Sequence, residues 1–172
     1  MSVIVPLNIM AQDAIERLLD AAFGPGRHGR TAYLIRAGMP WLPELSFGVE
    51  DESGRLIGSL QSWPVALTHP DGSQTPLIMV GPVAVDPALQ GTGHGRAMMD
   101  AVVTAARAQR SDALMMIGDP EYYGRFWGFS ADGTRQWDCP GPFEPRRLLA
   151  LSVNGAPIGG VGMLSPRITA TA

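Results

Sequence analysis

With 172 residues the chain is long enough for one substantial core and too short for two of ordinary size. A composition of 45% hydrophobic and 17% charged residues excludes a disordered chain, and 21 Gly with 15 Pro exclude long helical rods. The formal net charge of -3 supplies no long-range field for a phosphate polymer, so no nucleic-acid partner is expected.

Every one of the 13 Lys/Arg positions is Arg. A Walker phosphate loop, a Schiff-base enzyme and a kinase-type phosphate lysine are therefore excluded on chemical grounds. Cys139 is alone, so an internal disulfide is impossible and a zinc scaffold is not expected; no metal site is assigned. The opening residues Met1 to Pro6 lack a basic segment followed by a long apolar one, and no stretch approaches the roughly 18 apolar residues that cross a bilayer. A cytoplasmic protein without a membrane partner is the expectation.

In chain order, Val3 to Pro6 reads as a first strand. Gln12 to Phe23 places Ile15, Leu18, Leu19 and Ala22 on one helical face and stops at Gly24-Pro25-Gly26. A short helix is expected around Thr31 to Arg36, then an extended segment from Leu45 to Glu50, a turn at Glu52 to Arg55, and a return strand from Leu56 to Leu67. After a turn at His69 to Ser73, the apolar run Leu77 to Val85 has the character of a strand buried on both faces. An antiparallel meander thus feeds a central strand. Arg96 to Arg110 is a helix with Met99, Val102, Val103 and Ala106 at helical spacing, and Ala113 to Gly118 is a strand parallel to the previous one, because a helix of crossover length joins them. Asp119-Pro120 starts a short helix over Glu121 to Phe126. Leu148 to Val153 follows a loop-rich region, and residues 154 to 172 form a final strand or a flexible tail beyond a single domain over 1 to 153.

Two features carry chemistry. Gln90-Gly91-Thr92-Gly93-His94-Gly95-Arg96 joins a buried strand to an amphipathic helix, where glycines allow successive backbone N–H groups to converge on a phosphate at the positive helix end. The dinucleotide fingerprint is not met, since Arg96 stands where its third glycine belongs. Gly81-Pro82 inside the central strand removes a ladder N–H and permits a bulge, so the strand is expected to splay and expose pairing groups around Val83, Ala84 and Val85. A ligand with an amide-bearing arm and a diphosphate, such as coenzyme A, matches both.

Val83 to Gly95 resembles the acetyl-CoA signature of the GNAT (GCN5-related) N-acetyltransferases, Gln/Arg-x-x-Gly-x-Gly/Ala after a bulged strand. Ala22 to Arg27, Trp63-Pro64, Gly81-Pro82 and Gly118 to Phe126 are similar to a bacterial subgroup of that family, and the likeness spans most of residues 1 to 153. The resemblance implies the mixed α/β acyl-CoA N-acyltransferase fold, acetyl-CoA as donor, a small-molecule or protein amine as acceptor, and a possible homodimer. It assigns the donor contacts to Val83, Ala84, Val85, Gln90, Gly91, Thr92, Gly93, His94, Gly95 and Arg96. The subgroup's helix runs straight to Arg-Phe-Gly-Phe, whereas Arg125-Phe126-Trp127-Gly128-Phe129 carries an extra residue. Counting from Asp119 makes Tyr123 the acid; counting back from Phe129 reaches Gly124, and Tyr122 is the alternative.

Acetyl transfer to an amine needs a neutral amine, a polarised thioester carbonyl and a proton for the departing thiolate. Direct attack in a ternary complex is expected, with a backbone N–H near Val83 polarising the carbonyl and Tyr123 as proton donor. Glu44, Glu50 and His69 are base candidates by residue type, each more readily read as a solvated residue, and Trp41 and Trp63 are pocket walls or core. Loops over 24 to 44 and 130 to 147 are expected to build the acceptor pocket. A non-catalytic acetyl-CoA-binding module of the same fold is the competing expectation.

Overall fold

The computed structural model describes residues 1–168. Strands β1 (Val3–Pro6), β2 (Phe47–Glu50), β3 (Leu56–Thr68) and β4 (Gln74–Val85) form the antiparallel meander. β5 (Leu114–Ile117) lies parallel to β4, and β7 (Leu148–Leu151) closes that side antiparallel to β5. The order is β1-β2-β3-β4-β5-β7. One strand escapes the sequence reading, β6 (Trp137–Asp138); it pairs in parallel with β8 (Gly162–Pro166), and β8 also runs antiparallel to β3. Of the two alternatives for the C-terminal segment, residues 162–166 take the strand; residues 169–172 lie outside the described residues.

The helices divide between the two faces of the sheet. α1 (Gln12–Phe23) buries Ile15, Leu18 and Leu19 against Leu7, Leu56 and Ala84, and ends where Gly24 takes φ 83°. α2 (Thr31–Ile35) adds Ile35 to a cluster with Trp63, Val65, Leu77, Met79 and Met115 on that side. On the opposite face, α3 (His94–Gln109) packs Met98, Met99, Val102, Val103 and Ala106 on Ile57, Leu60, Ile78 and Val80, joined by Trp127 of α4 (Pro120–Trp127). No side chain caps the start of α3. Its helical state rests on that buried stripe, at roughly 1.5–3 kcal/mol per large apolar side chain. It begins two residues earlier than the periodicity suggests because Gly93, at φ 88°, already turns the chain into the helix.

Inside β4 the register to β3 slips. Leu60 faces Val83 while Ser62 faces Val80, so one residue of β3 opposes two of β4 at Gly81-Pro82. β4 pairs with β5 only through Ile78↔Leu114 and Met79↔Met115. From Val80 onward the two parallel strands diverge, and β5 remains bound only to β7.

Candidate active site

A cavity of about 840 Å³ opens where β4 and β5 part. Met79 to Val83 form one wall, and Met116 to Asp119 with Tyr122 and Tyr123 form the other. Phe23, Arg27 and the segment Gly29 to Tyr33, with Arg36, close it from α1 and α2, and Pro142 and Arg147 from the loop before β7. Both segments flagged in the sequence, 24 to 44 and 130 to 147, therefore reach the cavity. The Gly81 carbonyl, turned out by the bulge, accepts a hydrogen bond from Trp63 Nε1 at 2.7 Å.

Of the residues expected to hold a donor, Val83 lines the cavity, Ala84 turns its side chain into the core at 1% exposure, and Val85 packs against the α3 cluster. Gln90 to Arg96 lies beyond the cavity, at the outer end of β4. There Asp86 accepts from Ala88 N at 3.0 Å, Thr92 Oγ1 donates to the Leu89 carbonyl at 2.5 Å, and Gly91 and Gly93 take φ 84° and 88°. A Cβ on either glycine would meet nothing within 4 Å, so the positive φ, not crowding, is what requires glycine here. With no side-chain cap and no acidic residue in the first turn, the N–H groups of His94, Gly95 and Arg96 have no partner of their own in α3. The Arg96 guanidinium lies 4.1 Å over the Phe126 ring, which leaves its N–H donors at the same helix end.

Both tyrosines of α4 line the cavity. Tyr123 rests against Gly118, where an added Cβ would come within 2.7 Å of the ring, so only glycine at the end of β5 lets the phenol lie there. Tyr122 meets Tyr123 edge-on at 4.9 Å and touches Phe126 and Trp127. Burial raises the Tyr123 hydroxyl above its ordinary pKa, reinforced by Tyr122 and Asp119; burial also raises Tyr122. The extra residue of the sequence is Trp127. It is the last residue of α4, packs its ring in the cluster of α3 and donates Nε1 to Asp100 at 2.8 Å, after which Gly128 at φ 87° ends the helix.

The base candidates are elsewhere. Glu44 and Glu50 do not border the cavity, and His69 is engaged in the β3–β4 hairpin with the Val161 carbonyl and Thr75 Oγ1, each at 2.7 Å. The lone carboxylate lining the cavity among the described residues is Asp119. It caps α4 by accepting from Glu121 N at 3.1 Å, and hydrogen bonding to Glu121 together with nearby Arg146 and Arg147 keeps it below the usual carboxylate range. Trp63 is core, 6% exposed, and Trp41 packs between the α1 and α2 clusters.

Sequence reasoning missed the arginines. Arg27, Arg30, Arg36 and Arg147 converge on the cavity from three separate segments, and only the exclusive use of Arg in place of Lys signals them in the sequence. Arg27 is neutralised: its side chain, 3% exposed, bonds Asp20 at 2.9 Å, Glu16, and Tyr33 Oη at 2.5 Å. Burial opposes its charge, but those bonds outweigh it and hold the guanidinium above its ordinary pKa. Groups of three or more metal-ligating side chains are absent among the described residues, and no described helix is long and apolar enough to cross a membrane.

Residues 6–130 match the family model of an acetyltransferase (GNAT) domain. A search of curated proteins gives no significant match. Among solved structures, the chain is similar to the GNAT family N-acetyltransferase YhbS of Escherichia coli, solved in complex with CoA, at 21% identity and a TM-score of 0.69 over 95% of this chain and 88% of that one. It is also similar to a GNAT family acetyltransferase of Brucella melitensis in complex with acetyl-CoA, at 24% identity and a TM-score of 0.62 over 94% of this chain and 93% of the other. Eis1 of Mycobacterium abscessus matches at 21% identity and a TM-score of 0.53 over 77% of this chain and 32% of its own. These likenesses concern the fold, a mixed α/β sheet flanked by helices on both faces. The family model extends over well more than half of the sequence, from β1 through α4, so the chain belongs to the GNAT acetyltransferase family.

Proposed function

We propose that the chain transfers the acetyl group of acetyl-CoA to the nitrogen of an amine, by direct attack with both molecules bound. The observation that carries this reading is the parting of β4 from β5 at Gly81-Pro82, continuous with an uncapped, glycine-lined start of α3. The residues present fit the donor: unpaired N–H groups of His94, Gly95 and Arg96 suit a diphosphate, and the free edge of Val83 to Val85 suits an amide-bearing arm. The donor supplies the activated acyl group, and this chain positions, polarises and protonates.

A backbone N–H near Val83 would steady the developing negative charge on the carbonyl oxygen, and Tyr123 would hand its proton to the sulfur. As the N–C bond forms and the C–S bond breaks, the amine loses one proton and the departing thiolate gains one. With Asp119 committed to capping, the chain has no dedicated carboxylate base at the cavity among the described residues. A lining rich in guanidinium groups disfavours an ammonium ion, so it lowers the pKa of a bound amine and helps present it neutral.

The experiment is thiol release from acetyl-CoA across an amine panel, with calorimetric titration of acetyl-CoA in parallel. Binding with amine-dependent release is expected. Binding without release for any amine would make the chain an acetyl-CoA-binding module, and absence of binding would remove the reading altogether.

A further inference from the structure

Resting on the acetyl-transfer reading, we propose that the acceptor is a small amine that also carries a carboxylate, and that Arg36 is the group that receives this carboxylate inside the cavity.

Arg36 follows the last turn of α2 and lines the cavity. Its guanidinium carbon lies 3.7 Å over the Trp63 ring and 4.0 Å over the Tyr33 ring, so two aromatic rings fix where the fork sits. The group has no salt bridge among the described residues, and its Nε is buried without a hydrogen-bond acceptor. The contrast with Arg27, beside the same Tyr33, is what gives this weight. There the fold supplies two carboxylates and a hydroxyl; at Arg36 it supplies two rings, with Tyr33 as the nearest polar support and no carboxylate in salt-bridge contact among the described residues. A cation drawn out of water without a counter-ion is costly, and an anion entering the cavity would relieve that cost. Burial pulls the Arg36 pKa below its ordinary value, the direction an incoming anion reverses.

The kind of anion follows from geometry. A planar guanidinium fork matches the two oxygens of a carboxylate, and the ring-held fork of Arg36 is the most firmly placed of the unpaired guanidinium groups lining the cavity. Arg30 and Arg147, which also line the cavity and have no salt bridge among the described residues, add a field that draws such a molecule inward. Size follows from the cavity. About 840 Å³ is the space of a small-molecule site, and amine and carboxylate must both enter it. A lysine inside a protein chain brings no carboxylate of its own, since its carboxyl is consumed in the peptide bond. Arg36 is also set at the right place, because the indole it stacks on bonds the Gly81 carbonyl at the bulge, beside the proposed site of acyl transfer.

The test compares kcat/KM for pairs of amines that differ only in bearing a carboxylate or its uncharged amide, using thiol release from acetyl-CoA, with phosphorylated amines as a third arm. The carboxylate form should be favoured about ten- to a hundredfold, the range expected of a charge-assisted hydrogen-bonded pair. In Arg36→Met that ratio should collapse toward unity. Arg36→Lys, which keeps the charge and can still cover Trp63, should retain part of it and remains informative if the methionine variant does not fold. Equal use of both forms, a preference for the phosphorylated arm, or a ratio unchanged in both variants would overturn the proposal while leaving acetyl transfer intact. Failure of every amine to release thiol would overturn this proposal and the acetyl-transfer reading together.

Discussion

Tyr123 lies with its ring against the bare backbone of Gly118, and burial next to Tyr122 and Asp119 makes its hydroxyl hold a proton more tightly than a free phenol. The ordinary value is about 10, so a group raised above it stays protonated throughout the neutral range and loses its proton only as the pH climbs past that raised value. Under the proposed mechanism Tyr123→Phe lowers turnover by about 10²- to 10⁴-fold while acetyl-CoA affinity by calorimetry is retained. The wild-type rate should show no falling limb from this group below about pH 10, and a fall centred near neutrality would assign the proton donor to another residue. Cys139 behaves in the opposite sense to a nucleophile: burial, helped by Asp138, pushes its thiol up to about 12, and its side chain sits in the core cluster of α2. Thiolate is the reactive form, so native protein at pH 8 should resist iodoacetamide and form no acetyl-thioester detectable by mass spectrometry, whereas unfolded protein should alkylate readily.

At the scale of elements, the start of α3 is where, under the proposed function, the backbone itself would bind the donor. Gly93 stands at φ 88° with open space where a Cβ would go, so Gly93→Ala introduces a left-handed conformation costing roughly 1–2 kcal/mol without any clash. Urea unfolding should register that loss, and under the proposed function calorimetry should register weaker acetyl-CoA binding because the amides of His94 to Arg96 are re-aimed. The elements around this turn were legible in the sequence for identifiable reasons. α1 and α3 carry apolar stripes at helical spacing, β3 and β4 are long apolar runs bounded by turn residues, and the glycine-proline pair inside β4 foretold the bulge. β6 was not legible because two residues, Trp137 and Asp138, have no period, and β8 was legible only as one of two alternatives because Gly162 to Pro166 takes its partners from β6 and from residues of β3 nearly a hundred positions earlier. The arginine-rich cavity was hidden for a related reason. Arg27, Arg30 and Arg36 lie in and around short helices before β2 and Arg147 just before β7, and the chain's path brings them together.

For the whole molecule, β3 is the strand with the most partners among the described strands. It pairs with β4 along its length on one edge, and on the other with β2 over Leu56 to Leu60 and with β8 over Val65 to Thr68. Leu164 of β8 is fully buried in the cluster of Val65, Leu67, Leu77 and Trp137, so Leu164→Ala should cost about 2–5 kcal/mol. Thermal unfolding would show this as about 2–4 °C for each kcal/mol, and an unchanged midpoint would mean that the second edge of β3 contributes little. β3 also supplies Trp63, whose indole offers its face to Arg36 and its N–H to the Gly81 carbonyl. One stiff ring of fixed width thus fixes the distance from the Arg36 fork to the Gly81 carbonyl. Under the proposed acceptor, such a yardstick would sort molecules by the number of atoms separating their two functional groups, so that a homologous series would pass through an optimum and decline on either side of it.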